Sequence, residues 1–371
     1  MSRNAILEKK LLKVILWVYI SMCVVIAGLN YGYAPHASPK AASFLTWFWH
    51  FYENWVKTAF IAVCSILTLR IAGNTKQATM LKRNLAGFFS AAMVVHILLP
   101  LFIGNKELYF FTMPLPWTTT PLQLMNSGSS FYQSRFPVWG AAGISAALLF
   151  YIITSLFVII GTLLFGRRLQ CSKLCLFNGF AAEVFGPAMP LIGKNRKPGL
   201  RTLKILAVLR WAFLAIAAAL SLWWLLFLTG VHVPWNPIGI GRFEVYLYLV
   251  GELLMAMFFW VAFAGRGYCY YCPLGTVLGL LSRLAGQKIT ADGSSCIACG
   301  RCNAACPMAI DVKSAAVNSL PVKHLRCVGC GHCVDACPMH TLEYTTRFTS
   351  FINRRKKPKG IVVNNECQKN T

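Results

Sequence analysis

The segments "CIACGRCNAACP" (residues 296–307) and "CVGCGHCVDACP" (residues 327–338) repeat one spacing, C-x2-C-x2-C-x3-C-P, within a single chain. Three thiolates at i, i+3 and i+6 can wrap one iron–sulfur cube from a tight loop. In the doubled motif the fourth cysteine of each run ligates the other cube. Cys296, Cys299, Cys302 and Cys337 are therefore expected to hold one [4Fe–4S] cluster, and Cys327, Cys330, Cys333 and Cys306 a second. Gly300 and Gly329 let the backbone approach closely, and Pro307 and Pro338 turn the chain away after the fourth ligand. Zinc fits less well, because it prefers two cysteine pairs to a triplet with a remote fourth ligand. His324, His332 and His340 read as surface or packing residues, since the thiolates already complete both cubes.

Working outward, the rest of the 371-residue chain is apolar: mean hydropathy is +0.56 and only 13% of residues are charged. Six segments have spanning length, at 12–30, 54–73, 84–103, 139–165, 204–229 and 244–265. The second is the weakest. The first has no convincing cleavage site and reads as a retained helix. A net charge of +25 would suggest nucleic acid in a soluble protein. Here the Lys and Arg residues cluster in alternate connections, at Arg3–Lys13, Arg70–Arg83 and Arg167–Lys204. That alternation is the positive-inside pattern of an even number of spans with both termini cytoplasmic, in a multi-pass inner (cytoplasmic) membrane protein; nucleic acid is excluded as a partner. The connection 109–124, "YFFTMPLPWTTTPLQL", reads as an interfacial cap of aromatic residues and prolines.

Of the 15 cysteines, Cys23, Cys64 and Cys367 look incidental. Four more lie in "GRRLQCSKLC" (166–175) and "GRGYCYYCPLG" (265–275), following the fourth and sixth spans at one membrane side. Cys171, Cys175, Cys269 and Cys272 are thus expected at one depth, where they could hold a third [4Fe–4S] cluster. A zinc site, two incomplete sites or no metal are the alternatives.

Membrane helices ending in paired cysteines and followed by a double-cluster module resemble the NapH/NosR/CcoG group of membrane electron-transfer proteins. The likeness looks closest to the NapH-like branch, for which no large periplasmic flavin domain is expected before the first helix. Cys175 is followed by Leu176 rather than proline, Cys269 and Cys272 are separated by two residues rather than three, and six spans exceed the four of the smallest relatives. The resemblance implies quinol as electron source and a separate redox protein as sink.

The expected architecture is an all-α polytopic membrane protein with a C-terminal α+β two-cluster ferredoxin-like domain. Its divisions are a transmembrane domain (1–286), the ferredoxin-like domain (287–345) and a basic tail (346–371). His50, His96, His232 and Glu252 are the polar residues placed to line a quinone pocket or, for the histidines, to ligate a b-type haem. Glu252 is the best placed to take a proton from a quinol; Arg210 is expected to snorkel. Nothing in the sequence supplies a substrate-converting site, so an electron-transfer subunit of an oxidoreductase system is expected rather than a stand-alone enzyme. Its partners would be the lipid bilayer, quinol, and a redox protein or oxidoreductase subunits, with the tail "RRKKPK" (354–359) suited to an acidic partner or an anionic leaflet. A maturation or regulatory factor for another metalloenzyme would carry the same cysteines.

Overall fold

Long uncharged runs with no water to serve their backbones fold as helices that satisfy their own hydrogen bonds. The computed structural model describes residues 3–73, 78–192, 197–231, 236–240, 247–263 and 266–356. Among these, five helices are long and apolar enough to cross a membrane: α1 (Asn4–His36), α2 (Pro39–Ala72), α3 (Thr79–Ile103), α4 (Ser130–Phe165) and α5 (Leu200–Leu228). The second span, weakest in the sequence, begins much earlier than expected. Pro39 opens it and Ser38 caps it. The expected sixth span is described from Leu247, as a π-helical stretch Leu247–Leu254 continued by an α-helix Met255–Ala262. These two pieces form α6; residues 244–246 and 264–265 lie outside the described residues.

The outward faces are apolar, with Leu149, Ile152, Ile153, Leu156, Phe157 and Ile160 of α4 all exposed. So much exposed aliphatic surface suits lipid rather than water. Inward, Tyr19 of α1 meets the rings of Tyr52, Phe60, Phe180, Phe185 and Trp260 and centres the main core.

Two connections turn back into the bundle. The segment after α3 does not cap the interface as its aromatic and proline content suggested. Thr154, about 16 Å from the cysteine-side end of α4, donates to Phe111 O at 3.0 Å, and Leu115 N–H donates to the Tyr151 hydroxyl at 3.0 Å. Met113 goes further and meets Gln170, beside Cys171. The loop after α6 also folds back, so that Tyr271 donates to Gly251 O at 3.1 Å. Irregular backbone at such depth is tolerated because protein surrounds it.

The C-terminal unit is α+β. Strand β1 (Lys288–Ala291) pairs antiparallel with β2 (Leu342–Thr345), Lys288 opposite Thr345 and Ala291 opposite Leu342. Short helices Arg301–Ala305 and His332–Asp335 each carry the third cysteine of a motif. The unit completes the ends of two membrane helices. Asp335 accepts from Met80 N–H and Leu81 N–H at 3.0 Å, capping the first turn of α3, where the helix dipole favours a carboxylate. Tyr344 and Thr346 donate to Phe165 O and Leu164 O, both at 2.8 Å, and serve the last carbonyls of α4.

A buried ionic network locks this docking. Glu183, in the short helix Gly179–Val184 between α4 and α5, is held by Arg266 Nη2 at 2.5 Å and His332 Nε2 at 2.8 Å. Glu183→Gln keeps the shape but strands Arg266, 1% exposed, without its counter-charge. A loss of about 3–5 kcal/mol is expected, read as a lowered thermal unfolding midpoint of the purified protein; an unchanged midpoint would show that the network carries no stability.

Candidate metal centres

Each cysteine motif folds around left-handed backbone positions, which bend the chain tightly enough for its thiols to converge. Gly300 (φ 75°) and Gly331 (φ 79°) occupy matching places before the third cysteine, and Ala298 (φ 51°) and Gly329 (φ 68°) match before the second. The true partner of Gly300 is thus Gly331, which the sequence reading passed over. At Gly329 a Cβ would lie 2.8 Å from Arg168 Cβ and 2.9 Å from the Tyr344 ring, so the close approach requires glycine there as well.

Three small cavities follow, and each is lined by four cysteines. One is lined by Cys296, Cys299, Cys302 and Cys337. A second is lined by Cys306, Cys327, Cys330 and Cys333. The third is lined by Cys171, Cys175, Cys269 and Cys272. The first two cavities each combine three cysteines of one motif with the fourth of the other. None of the twelve is in a disulfide.

The membrane-level set is built by two turns. Cys171 lies in the π-helical turn Gln170–Leu174 with Cys175 at its end; Cys269 lies in the turn Tyr268–Tyr270, and Cys272 precedes the helix Pro273–Leu284. Donors surround the sulfurs. Arg167 Nε reaches Cys171 Sγ at 3.1 Å, Asn178 Nδ2 reaches Cys269 Sγ at 3.3 Å, and Gly275 N–H reaches Cys272 Sγ at 3.3 Å. Burial pushes the thiols of Cys175, Cys272, Cys330 and Cys333 above the usual cysteine range. Thiolates at such depth need positive charge beside them, which buried guanidinium groups give in part and a bound metal would complete.

Among the described residues, the only group of three or more ligand atoms within 4.8 Å of one another is Glu183, Cys330 and His332. Glu183 is already engaged there by Arg266, His332 and Asn84, so the group reads as the ionic network described above. Burial alone would raise the Glu183 carboxyl, but His332 and Arg266 outweigh it and hold it at about 2. Among the described residues, no three thiols of one cysteine set lie mutually within 4.8 Å. A single zinc ion at about 2.3 Å from each sulfur would bring them to about 3.8 Å apart, whereas a cube spreads its thiolates over its corners.

The three sets are arranged in sequence. The middle one, with Cys327 and Cys330, meets the membrane-level set directly: Ser172 donates to Val328 O at 3.0 Å, Arg167 Nη1 to Leu325 O at 3.2 Å, and Tyr270 to Pro307 O at 3.1 Å. Gln287 bridges both, accepting from Arg167 N–H at 2.8 Å and donating to Cys327 O at 3.0 Å. In the set of Cys296, Cys299, Cys302 and Cys337, Cys299 is exposed.

Next to the membrane-level set is a cavity of about 250 Å³. Its wall runs from Tyr31 and Arg135 to Pro273, the residue after Cys272, and includes Trp117, Phe213 and Glu252. Glu252 is buried, hydrogen-bonds Tyr268 and Trp117, and keeps Oε2 without a partner. Trp117 Nε1 also donates to the Tyr268 hydroxyl at 3.2 Å. Arg210 does not snorkel. It is 5% exposed and donates to Tyr270 O at 2.7 Å, bracing the cysteine turn. His50 and His96 line a different cavity, near the other end of the bundle, and His232 and Cys367 lie outside the described residues.

Sequence reasoning missed Arg167, Asn178, Glu183 and Arg266. The two arginines left a signal, since each cysteine pair is preceded by Gly-Arg, at 166–167 and 265–266. Asn178 and Glu183 left none.

Residues 288–348 match the family model described as a 4Fe-4S dicluster domain. No curated protein and no solved structure matches the chain. The molecule is a multi-span helical protein bearing a C-terminal 4Fe-4S dicluster domain.

Proposed function

We propose that the chain is a membrane electron conduit that carries electrons between quinol and a separate redox protein. Cys171, Cys175, Cys269 and Cys272 hold the first of three [4Fe–4S] clusters. Cys306, Cys327, Cys330 and Cys333 hold the next, and Cys296, Cys299, Cys302 and Cys337 the last. Each cluster, when bound, supplies a one-electron carrier. The observation that carries this reading is the cavity that ends at Pro273, beside the first of three successive four-cysteine sets.

The remaining roles belong to side chains. Trp117 and Tyr268 orient Glu252, whose free oxygen faces a cavity otherwise mainly apolar, as a prenylated ring requires. Glu252 accepts the proton from the quinol hydroxyl nearest the cysteines. Arg167 and Gln287 tie the first set to the second and fix their separation. The exposed Cys299 edge is where the partner docks. The basic connections at the cysteine-bearing end support a cytoplasmic side for that end and for both termini. On this reading residues 1–286 form the membrane domain, 287–345 the ferredoxin-like domain and 346–371 the tail. The branch nearest in kind is the NapH-like one.

Anaerobically purified protein is expected to hold about twelve irons. Cys175→Ala should lower this to about eight and remove one low-temperature EPR signal; Cys302→Ala should affect a different signal. Zinc in place of iron would sink the assignment. Glu252→Gln should slow reduction of the protein by a quinol analogue about 10²-fold while leaving reduction by dithionite unchanged.

A further inference from the structure

Three buried arginines stand beside the membrane-level cysteines, and they differ in what balances their charge. Arg266 has Glu183 at 2.5 Å. Arg210 directs its Nε to Tyr270 O, a backbone carbonyl. Arg167, 1% exposed, directs its Nε to Cys171 Sγ at 3.1 Å. Among the described residues Arg167 has no carboxylate partner, and it is the only cation that donates a hydrogen bond to a cysteine sulfur.

The chain clears a slot for this side chain. Gly275 and Gly279 lie one turn apart in the helix Pro273–Leu284. A Cβ at Gly275 would stand 2.4 Å from Arg167 Nη2, and one at Gly279 would stand 3.7 Å from Nη1. The guanidinium therefore rests on a face without side chains. Nη1 donates to Leu325 O at 3.2 Å, and Nη2 reaches Cys269 O at 3.5 Å. Those carbonyls fix where the charge sits without neutralising it. A cation sealed from water is strongly disfavoured unless an anion lies within reach. Arg167 lines the cavity of Cys171, Cys175, Cys269 and Cys272, so that set is where its anion belongs.

The inference rests on the proposed function for the presence of a cluster in that set. Four thiolates leave a [4Fe–4S] centre negatively charged, and reduction adds one electron and no proton, so its negative charge grows. Burial alone favours the less charged, oxidised form. A fixed cation on a ligand sulfur stabilises the reduced form more than the oxidised one and works against that penalty. We propose that Arg167 is a positioning residue that acts through the Cys171 sulfur to raise the reduction potential of the membrane-level centre, fitting it to accept electrons in the membrane. In the C-terminal sets, Cys337 Sγ meets only a neutral hydroxyl, that of Thr341 at 3.3 Å. The effect of Arg167 is accordingly confined to one centre of the three.

The test is a mediated redox titration of the full chain, purified anaerobically into lipid nanodiscs, with dithionite as reductant and low-temperature EPR as readout. The signal that Cys175→Ala removes identifies the centre. Arg167→Gln keeps a neutral donor without the charge. It should lower the reduced-to-oxidised ratio of that signal about tenfold at a fixed ambient potential, a midpoint shift of about 59 mV downward. Arg167→Lys keeps the charge and should recover most of the loss. The midpoints of the other two signals should not move. Gly275→Ala leaves the arginine in place but fills its slot, and should lower the same midpoint by a smaller amount. Should Arg167→Gln lose its iron, Gly275→Ala decides: an unmoved midpoint there overturns the role. Equal shifts in Arg167→Gln and Arg167→Lys would also overturn it and reduce Arg167 to a clamp, with the three-centre reading intact. Only about eight irons in the unsubstituted protein would instead sink the first centre itself, and the inference with it.

Discussion

A carboxylate sealed from water holds the cysteine-bearing regions in register. Glu183 lies between Arg266, three residues before Cys269, and His332, between Cys330 and Cys333. Arg266 also donates to Cys171 O at 2.7 Å, and Asn84 at the start of α3 reaches both Glu183 and Cys330 O. One buried charge therefore touches the loops of two thiol sets and a membrane helix. Such pairs contribute modestly to net stability, because desolvation offsets most of the attraction, but a partner out of place is severely penalised. The network is best understood as fixing geometry. Under the proposed function, two thiol sets that pass electrons need a constant separation, which this contact supplies.

The same logic explains why the C-terminal unit does not hang from a tether. Helix ends expose donors and acceptors that something must satisfy. At α3 and α4 that something is Asp335, Tyr344 and Thr346. Undocking the unit would return those groups to water and open the Glu183 network as well. The folded-back loops complete the arrangement from the other side. They carry Trp117 and Tyr268 to the level of Glu252, so a deep cavity and the first thiol set share a wall.

The legible part of the sequence was the part whose chemistry is local. Thiol spacing within a short loop limits what can be ligated, and the crossed groupings of Cys306 and Cys337 follow from that spacing alone. Span positions were legible because hydropathy averages over a whole helix; that averaging also hid the start of α2 at Pro39, where aromatic and polar residues dilute the run. Charge was read as surface. Arg167 entered the count of basic loops and Arg266 was passed over, yet both are 1% exposed and serve the cysteines. The descent of residues 109–117 was illegible for a related reason: aromatic residues and prolines suit an interface and a buried loop equally well. Only contacts such as Thr154 with Phe111 tell them apart.

One regularity ties the polar sites to helix geometry. His96 lies in the π-helical stretch Met93–Leu98, Asn54 in Tyr52–Val56, Glu252 in Leu247–Leu254 and Cys171 in Gln170–Leu174. A π-turn adds a residue to the helical repeat and shifts the face presented by everything after it. In a lipid-facing helix this lets an apolar stripe continue along the outside while one polar residue turns inward. The cost is a locally weaker hydrogen-bond ladder, tolerable only where neighbouring helices supply packing. That these four residues share the device, on separate elements, fits a bundle shaped around what its polar groups bind rather than around its own packing alone.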